Sequence, residues 1–205
     1  ALAGCAGTTP AANSMPGQGM SAVIVAGRFI LPTGETRSGS MVLNFEGEGG
    51  RQAEIYRLNL LPGEASLYQV EPGVYHINPT RNLFGYHRPG VKVQIEGRVY
   101  EAPFPKELLR KSSIEVKSKK IVALGIVEAR VSSALPGQQP SLRVRIDDSV
   151  NARRQLVSQV IHNMMDPNVP AQTRESAIAW SRALESSLMD LLSESERAPL
   201  NKRAP

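Results

Sequence analysis

Three histidines, His76, His87 and His162, are the side chains here best suited to metal or proton chemistry. His76 belongs to a β-like segment, His87 to a stretch between strands and His162 to a helical pattern. None has an Asp, Glu or Cys partner at a spacing typical of zinc ligands. Nucleophilic catalysis finds no better footing. There is no Gly-x-Ser-x-Gly elbow, and no Ser is followed by Lys three residues later. The paired acids Glu46/Glu48 and Asp147/Asp148 read as loop residues. The Gly-rich run Glu46-Gly47-Glu48-Gly49-Gly50 lacks the Lys and Ser/Thr of a phosphate loop, so it reads as a hairpin connection. Cys5 is the only cysteine, which rules out an internal disulfide framework or a Cys-rich metal site. It precedes a polar run in which no base would be held at hydrogen-bond range. These patterns predict a non-enzyme with no cofactor and no metal.

One stretch has the composition of a contact surface. Residues 78–90, Asn-Pro-Thr-Arg-Asn-Leu-Phe-Gly-Tyr-His-Arg-Pro-Gly, crowd Phe84 and Tyr86 beside Arg81, His87 and Arg88. Aromatics and arginine are enriched at the centres of protein interfaces, so this loop is the candidate partner-binding site. The alternative is that Phe84 and Tyr86 fold back over the end of the domain.

The elements that would position these groups follow from periodicity. Val23 to Leu31 is nearly continuous apolar sequence and reads as a buried strand. Met41, Leu43 and Phe45 alternate with polar or smaller residues, and Tyr56, Leu58 and Leu60 do the same. Ser66 to Val70 and Val74 to Ile77 are split by the turn Glu71-Pro72-Gly73. Val91, Val93, Ile95, Gly97 and Val99 read as one side of a single strand. Ile121 to Val131 is apolar on both sides at first and on one side later, and Leu142, Val144 and Ile146 alternate again. Eight or nine short strands over 21–147 predict an antiparallel β-sandwich, with an open barrel as the alternative. Then the period changes. Leu156, Val157, Val160, Ile161, Met164 and Met165 make one amphipathic helix, capped by Asp148 or Ser149. Ala177, Trp180, Leu184, Leu188 and Leu191 make a second, opened by Pro170 and running to about Ser193. The fold expected is mainly β, a sandwich followed by a C-terminal αα-hairpin. Trp180 is expected to pack within the chain; self-association through the helices is the other way to cover their stripes.

The N-terminal Leu2-Ala3-Gly4-Cys5 resembles the lipobox of bacterial lipoproteins. The resemblance implies that residues 1–4 are a signal-peptide remnant and that Cys5 is the mature N-terminus, acylated on its sulfur and amino group. Ala6 after the cysteine implies outer-membrane sorting, with the domain facing the periplasm. Residues 5–20 then read as lipidated cysteine and flexible tether, about 20 Å in reach. The segments Val70-Glu71-Pro72-Gly73-Val74-Tyr75-His76-Ile77 and 114–125 resemble paired segments of small β-sandwich lipoproteins of bacterial envelopes. That likeness implies fold and compartment and carries no catalytic residue.

The expected organisation is therefore 1–4 remnant, 5–20 tether, 21–147 sandwich, 148–193 two-helix appendage and 194–205 loose tail. The chain carries 24 Lys plus Arg against 19 Asp plus Glu, a formal charge of +5 spread along its length. That suits weak attraction to anionic surfaces and supplies no stripe for nucleic acid. No run of 18 apolar residues follows Cys5. The function expected is an outer-membrane lipoprotein serving as a structural or accessory subunit of a secretion, pilus or motor assembly, its partners a bilayer and envelope proteins. The alternative is a periplasmic binding module for a small ligand, glycan or peptidoglycan.

Overall fold

The computed structural model describes residues 7–48, 55–78, 90–103, 113–133 and 140–201. They form a β-sandwich whose second sheet is covered on its outer face by two helices. Strands β1 (Ser21–Leu31), β2 (Gly34–Thr36), β5 (Ala65–Val70), β10 (Ile121–Val131) and β11 (Leu142–Asp147) make the covered sheet. Strands β3 (Gly39–Gly47), β4 (Ile55–Leu60), β6 (Gly73–Asn78), β7 (Gly90–Ile95), β8 (Arg98–Pro103) and β9 (Ile114–Val116) make the other. Helices α1 (Val150–Met165) and α2 (Ala171–Asn201) complete the third layer.

Two hydrophobic cores follow from this layering. Between the sheets, Val23, Val25 and Phe29 of β1 meet Met41, Leu43 and Phe45 of β3 and Tyr56, Leu58 and Leu60 of β4. On the other face of β1, Ala22, Ile24 and Ala26 pack with Leu67, Leu156, Val160, Met164 and Trp180. A central strand with both faces in a core needs apolar side chains at every position, and this accounts for the unbroken run in β1. β10 is its neighbour and obeys the same demand only as far as the helices reach. Beyond them its outer face turns polar at Glu128 and Arg130.

One pairing departs from the antiparallel expectation. β1 and β10 run parallel, Ala22 opposite Ile121 and Ile30 opposite Arg130. A parallel pair needs a crossover connection, and here the connection includes the whole of the other sheet. A second departure is the strand read through 91–99. It is a hairpin, turning at Glu96 and Gly97 with φ of +48° and +77°. The two-residue turn reverses the parity, so Tyr100 pairs with Val93 and faces the core. Val99, expected on the core side, is 63% exposed.

Two segment readings are also corrected. The helix expected to end near Ser193 continues to Asn201: Ser193 to Ala198 contain no helix breaker, and Pro199 stands within its last turn. Of the tether, residues 7–20 are not free chain. Thr8 bridges Tyr56 of β4 and Ala12 bridges Tyr68 of β5, each beside the strand that it joins. The helices in turn share a core with β1, β5 and β10, so residue 147 marks a change of period and not of packing unit. α1 begins where Ser149 Oγ accepts the Ala152 amide at 3.2 Å.

Candidate functional site

The two strands that flank the candidate loop lie inside their sheet, β6 between β3 and β9 and β7 between β3 and β8. β4 pairs with β3 from Met41 to Glu46, so β6 and β7 must share the opposite edge of β3. β6 ends with Asn78 opposite Asn44, and β7 enters with Val93 opposite Met41. Both run antiparallel to β3, as one strand interrupted by residues 79–89. Arg81, Phe84, Tyr86, His87 and Arg88 lie outside the described residues, as does Cys5.

What the structure does place is the polar shelf at the loop's root. Asn44, Glu46, His76 and Asn78 alternate with the core residues Leu43, Phe45, Tyr75 and Ile77, so they stand on the outer face. The Asn78 amide donates to the Glu46 carboxylate, and His76 sits opposite Glu46 in the register. Asn44 Oδ1 is buried with no hydrogen-bond partner among the described residues. His162 lies on the exposed side of α1 in another layer, so these two histidines do not converge. Among the described residues no group of three or more His, Cys, Asp or Glu could hold a metal ion. No helix among them is long and apolar enough to cross a membrane.

A second feature escaped the sequence reading. Residues 7–17 lie as a strap along the free edges of both sheets. Thr8 donates its amide to the Ile55 carbonyl at 2.7 Å and accepts from the Arg57 amide at 2.8 Å. Asn13 donates to the Leu67 carbonyl at 2.8 Å, while its Oδ1 accepts the Leu67 amide at 3.0 Å. Asn13 holds φ at +55°, a conformation that Asn tolerates better than most side chains. Gln69 then clasps the strap from both sides. Its Oε1 accepts the Gly17 amide at 2.7 Å, and its Nε2 donates to Ser14 Oγ at 2.6 Å and to the Met15 carbonyl. Trp180, 3% exposed, donates Nε1–H to the Ser14 carbonyl at 2.9 Å. The tryptophan therefore joins strap, helix layer and sheet at one point. The sequence signal for this was the turn-forming run Asn13-Ser14-Met15-Pro16-Gly17, which composition alone makes look like linker.

The remaining cluster is electrostatic. Glu128, with its side chain 7% exposed, receives Arg145 Nε at 3.0 Å and Nη2 at 3.1 Å, and Arg130 at 3.3 Å. Burial alone would raise the carboxyl pKa, but the hydrogen bonds and charges of Arg145 and Arg130 together outweigh it and hold it below the usual carboxylate value. A carboxyl depressed in the folded state adds stability above its unfolded pKa and loses it as pH falls through the folded one. The stability of the wild type should therefore decline in acid, below about pH 4.5. Glu128→Gln should flatten that limb and lower stability at neutral pH, where the arginines lose their counter-charge. Urea titrations at pH 7 and at pH 3 check this; equal losses at both would show that the carboxylate does not supply the effect.

No protein-family model matches the sequence, and no curated protein matches it. Among solved structures the chain is similar to a putative cell adhesion protein from Bacteroides uniformis, at 7% identity and a TM-score of 0.23. The alignment covers 62% of this chain and 50% of that one, so the chain spans about half of its length.

Proposed function

We propose that this protein is a lipid-anchored lipoprotein of the outer membrane that works without catalysis, as a structural or accessory subunit of a cell-envelope assembly. The anchor is Cys5 and the partner-facing loop is 79–89, carrying Arg81, Phe84, Tyr86, His87 and Arg88. The observation that supports this reading most is the Leu2-Ala3-Gly4-Cys5 run, which resembles a lipobox; the seating of the strap says what an anchor there would do. Gly7 lies against Ile55 so closely that a Cβ would meet the Ile55 carbonyl oxygen at 2.8 Å. Only two peptide links separate it from Cys5, a reach of about 7 Å at 3.3–3.6 Å per residue. A lipid at Cys5 would thus hold the domain close against the bilayer, and the β7–β8 turn at the far end of β3 would point away from it. Acyl chains bury about 0.8 kcal/mol per CH₂, enough for durable attachment when there is more than one.

One experiment tests both halves of the proposal. Cells carrying the wild type or Cys5→Ser are fed labelled fatty acid, treated with a crosslinker and fractionated. Label should enter the wild type and fall to background in Cys5→Ser, which should move to the soluble fraction. Equal labelling of the two would overturn the anchor. A wild type that stays monomeric after crosslinking in intact envelopes would overturn the accessory role.

A further inference from the structure

We propose that residues 7–17 are a releasable strap, and that the seam beneath them is a β-addition site for an extended, uncharged peptide segment. The seam consists of the outer edges of β4 and β5 and the Trp180 indole. It stands whether or not Cys5 carries lipid. β4 spends its other edge on β3, and β5 spends its other edge on β1. Among the described residues no other strand joins their outer edges, which without the strap would present N–H and C=O groups of the kind that accept an added strand.

The strap is held by hydrogen bonds and hardly at all by apolar burial. None of residues 7–17 is buried, and Met15 is 45% exposed. Segments with few buried apolar contacts open below the free energy of global unfolding. A turn separates it from the domain. The turn from Gly17 to Met20, closed by a 3.2 Å Met20 N–H to Gly17 carbonyl bond with Gly19 at φ +74°, lies between the strap and the fully buried Ser21 of β1. Release therefore leaves the pairing of β1 with β5 and β10 in place.

The strap in its seat defines what the seam accepts. Its sequence, Gly-Thr-Thr-Pro-Ala-Ala-Asn-Ser-Met-Pro-Gly, carries no charge. The occupant must run parallel to β4 at Thr8 and antiparallel to β5 at Ala12. It must then turn at a residue that tolerates positive φ, with a side-chain oxygen for the Leu67 amide and a following carbonyl for Trp180 Nε1. Asn-Ser at the turn meets all three conditions. A helical segment meets none of them, because its backbone groups are already paired within the helix.

The test uses the full chain. By hydrogen exchange, the amides of Thr8, Arg57, Asn13, Leu67 and Gly17 should exchange as a group, at least 100-fold faster than the paired amides of β10. Asn13→Ala, which removes the Leu67 amide's acceptor, should accelerate the group further and leave β10 unchanged. A fluorophore-labelled synthetic peptide of residues 7–17 should bind Asn13→Ala saturably and at least tenfold more tightly than wild type, whose own strap competes, and should shift the emission of Trp180, the chain's one tryptophan. Strap amides that exchange only as fast as those of β10 would overturn release. Absence of saturable binding to Asn13→Ala, or equal binding to both proteins with Trp180 emission unmoved, would overturn the peptide site.

Discussion

Trp180→Ala should lower the melting temperature of the lipid-free, monomeric protein by about 6–20 °C. The estimate follows from burial. Trp180 is 3% exposed and belongs to the core that α1 and α2 share with β1, β5 and β10. Truncating a buried tryptophan to alanine costs about 3–5 kcal/mol, and a chain of this size shifts by about 2–4 °C per kcal/mol. A loss of that size is a large fraction of the 5–15 kcal/mol that typically holds a domain together. The variant also removes the donor to the Ser14 carbonyl, so the strap loses its tie to the helix layer. Trp180→Phe separates the two effects. It keeps most of the apolar volume and deletes the Nε1–H, so strap amides should exchange faster while the melting point falls much less. An unchanged melting point in Trp180→Ala would mean that the helix pair does not stabilise the sheet through this residue.

The inner face of the sandwich was legible because period-two alternation is a local signal. Met41, Leu43 and Phe45, and Tyr56, Leu58 and Leu60, stand in the core that their spacing implied. The continuous run in β1 and the two-sided start of β10 were legible for a related reason, since a strand between two cores cannot afford polar residues. What the chain hides is how its elements pair. Nothing within β1 or β10 states that they run parallel, because that follows from where the intervening sheet folds. The hairpin at Glu96-Gly97 was masked because apolar residues continue at every second position through the turn, although the turn reverses their facing. The strap was hidden for another reason. Its contacts come from backbone groups, Gln69 and Trp180, and a backbone contact leaves no hydrophobic pattern in the strap itself. The candidate loop was found by composition alone; the shelf of Asn44, Glu46, His76 and Asn78 at its root needed the register of β3 with β6.

Gly125→Ala should destabilise the protein by about 2–6 kcal/mol, out of proportion to one added methyl group. β10 carries an irregularity at this point: Ile24 pairs with Ala123 but Val25 pairs with Gly125, which leaves Leu124 as an extra residue. The bulge changes the parity of the strand. Ala123 and Ile126 face the helices, while Leu124 and Val127 face the sandwich core. Without the shift, Glu128 and Arg130 would both point between the sheets instead of onto the outer face. Gly125 makes the bulge possible with φ at +127°, where a side chain is strained by about 1–3 kcal/mol. It also lies under the exit of β11, since a Cβ there would meet the Asp147 carbonyl oxygen at 2.5 Å and Asp148 Cα at 3.1 Å. Overpacking of this kind costs about 1–3 kcal/mol more. The displaced atoms are backbone, and they lead directly into the Ser149 cap of α1, so they cannot yield as a flexible side chain would. Gly63→Ala supplies the control: Gly63 has φ of +72° with nothing within 4 Å of its Cβ position, so it should cost about 1–2 kcal/mol from conformation alone. Denaturant unfolding of the two variants, side by side, measures the difference. If Gly125→Ala loses no more than Gly63→Ala, the close approach of β10 to the β11–α1 junction contributes nothing, and the change of facing along β10 must be set elsewhere.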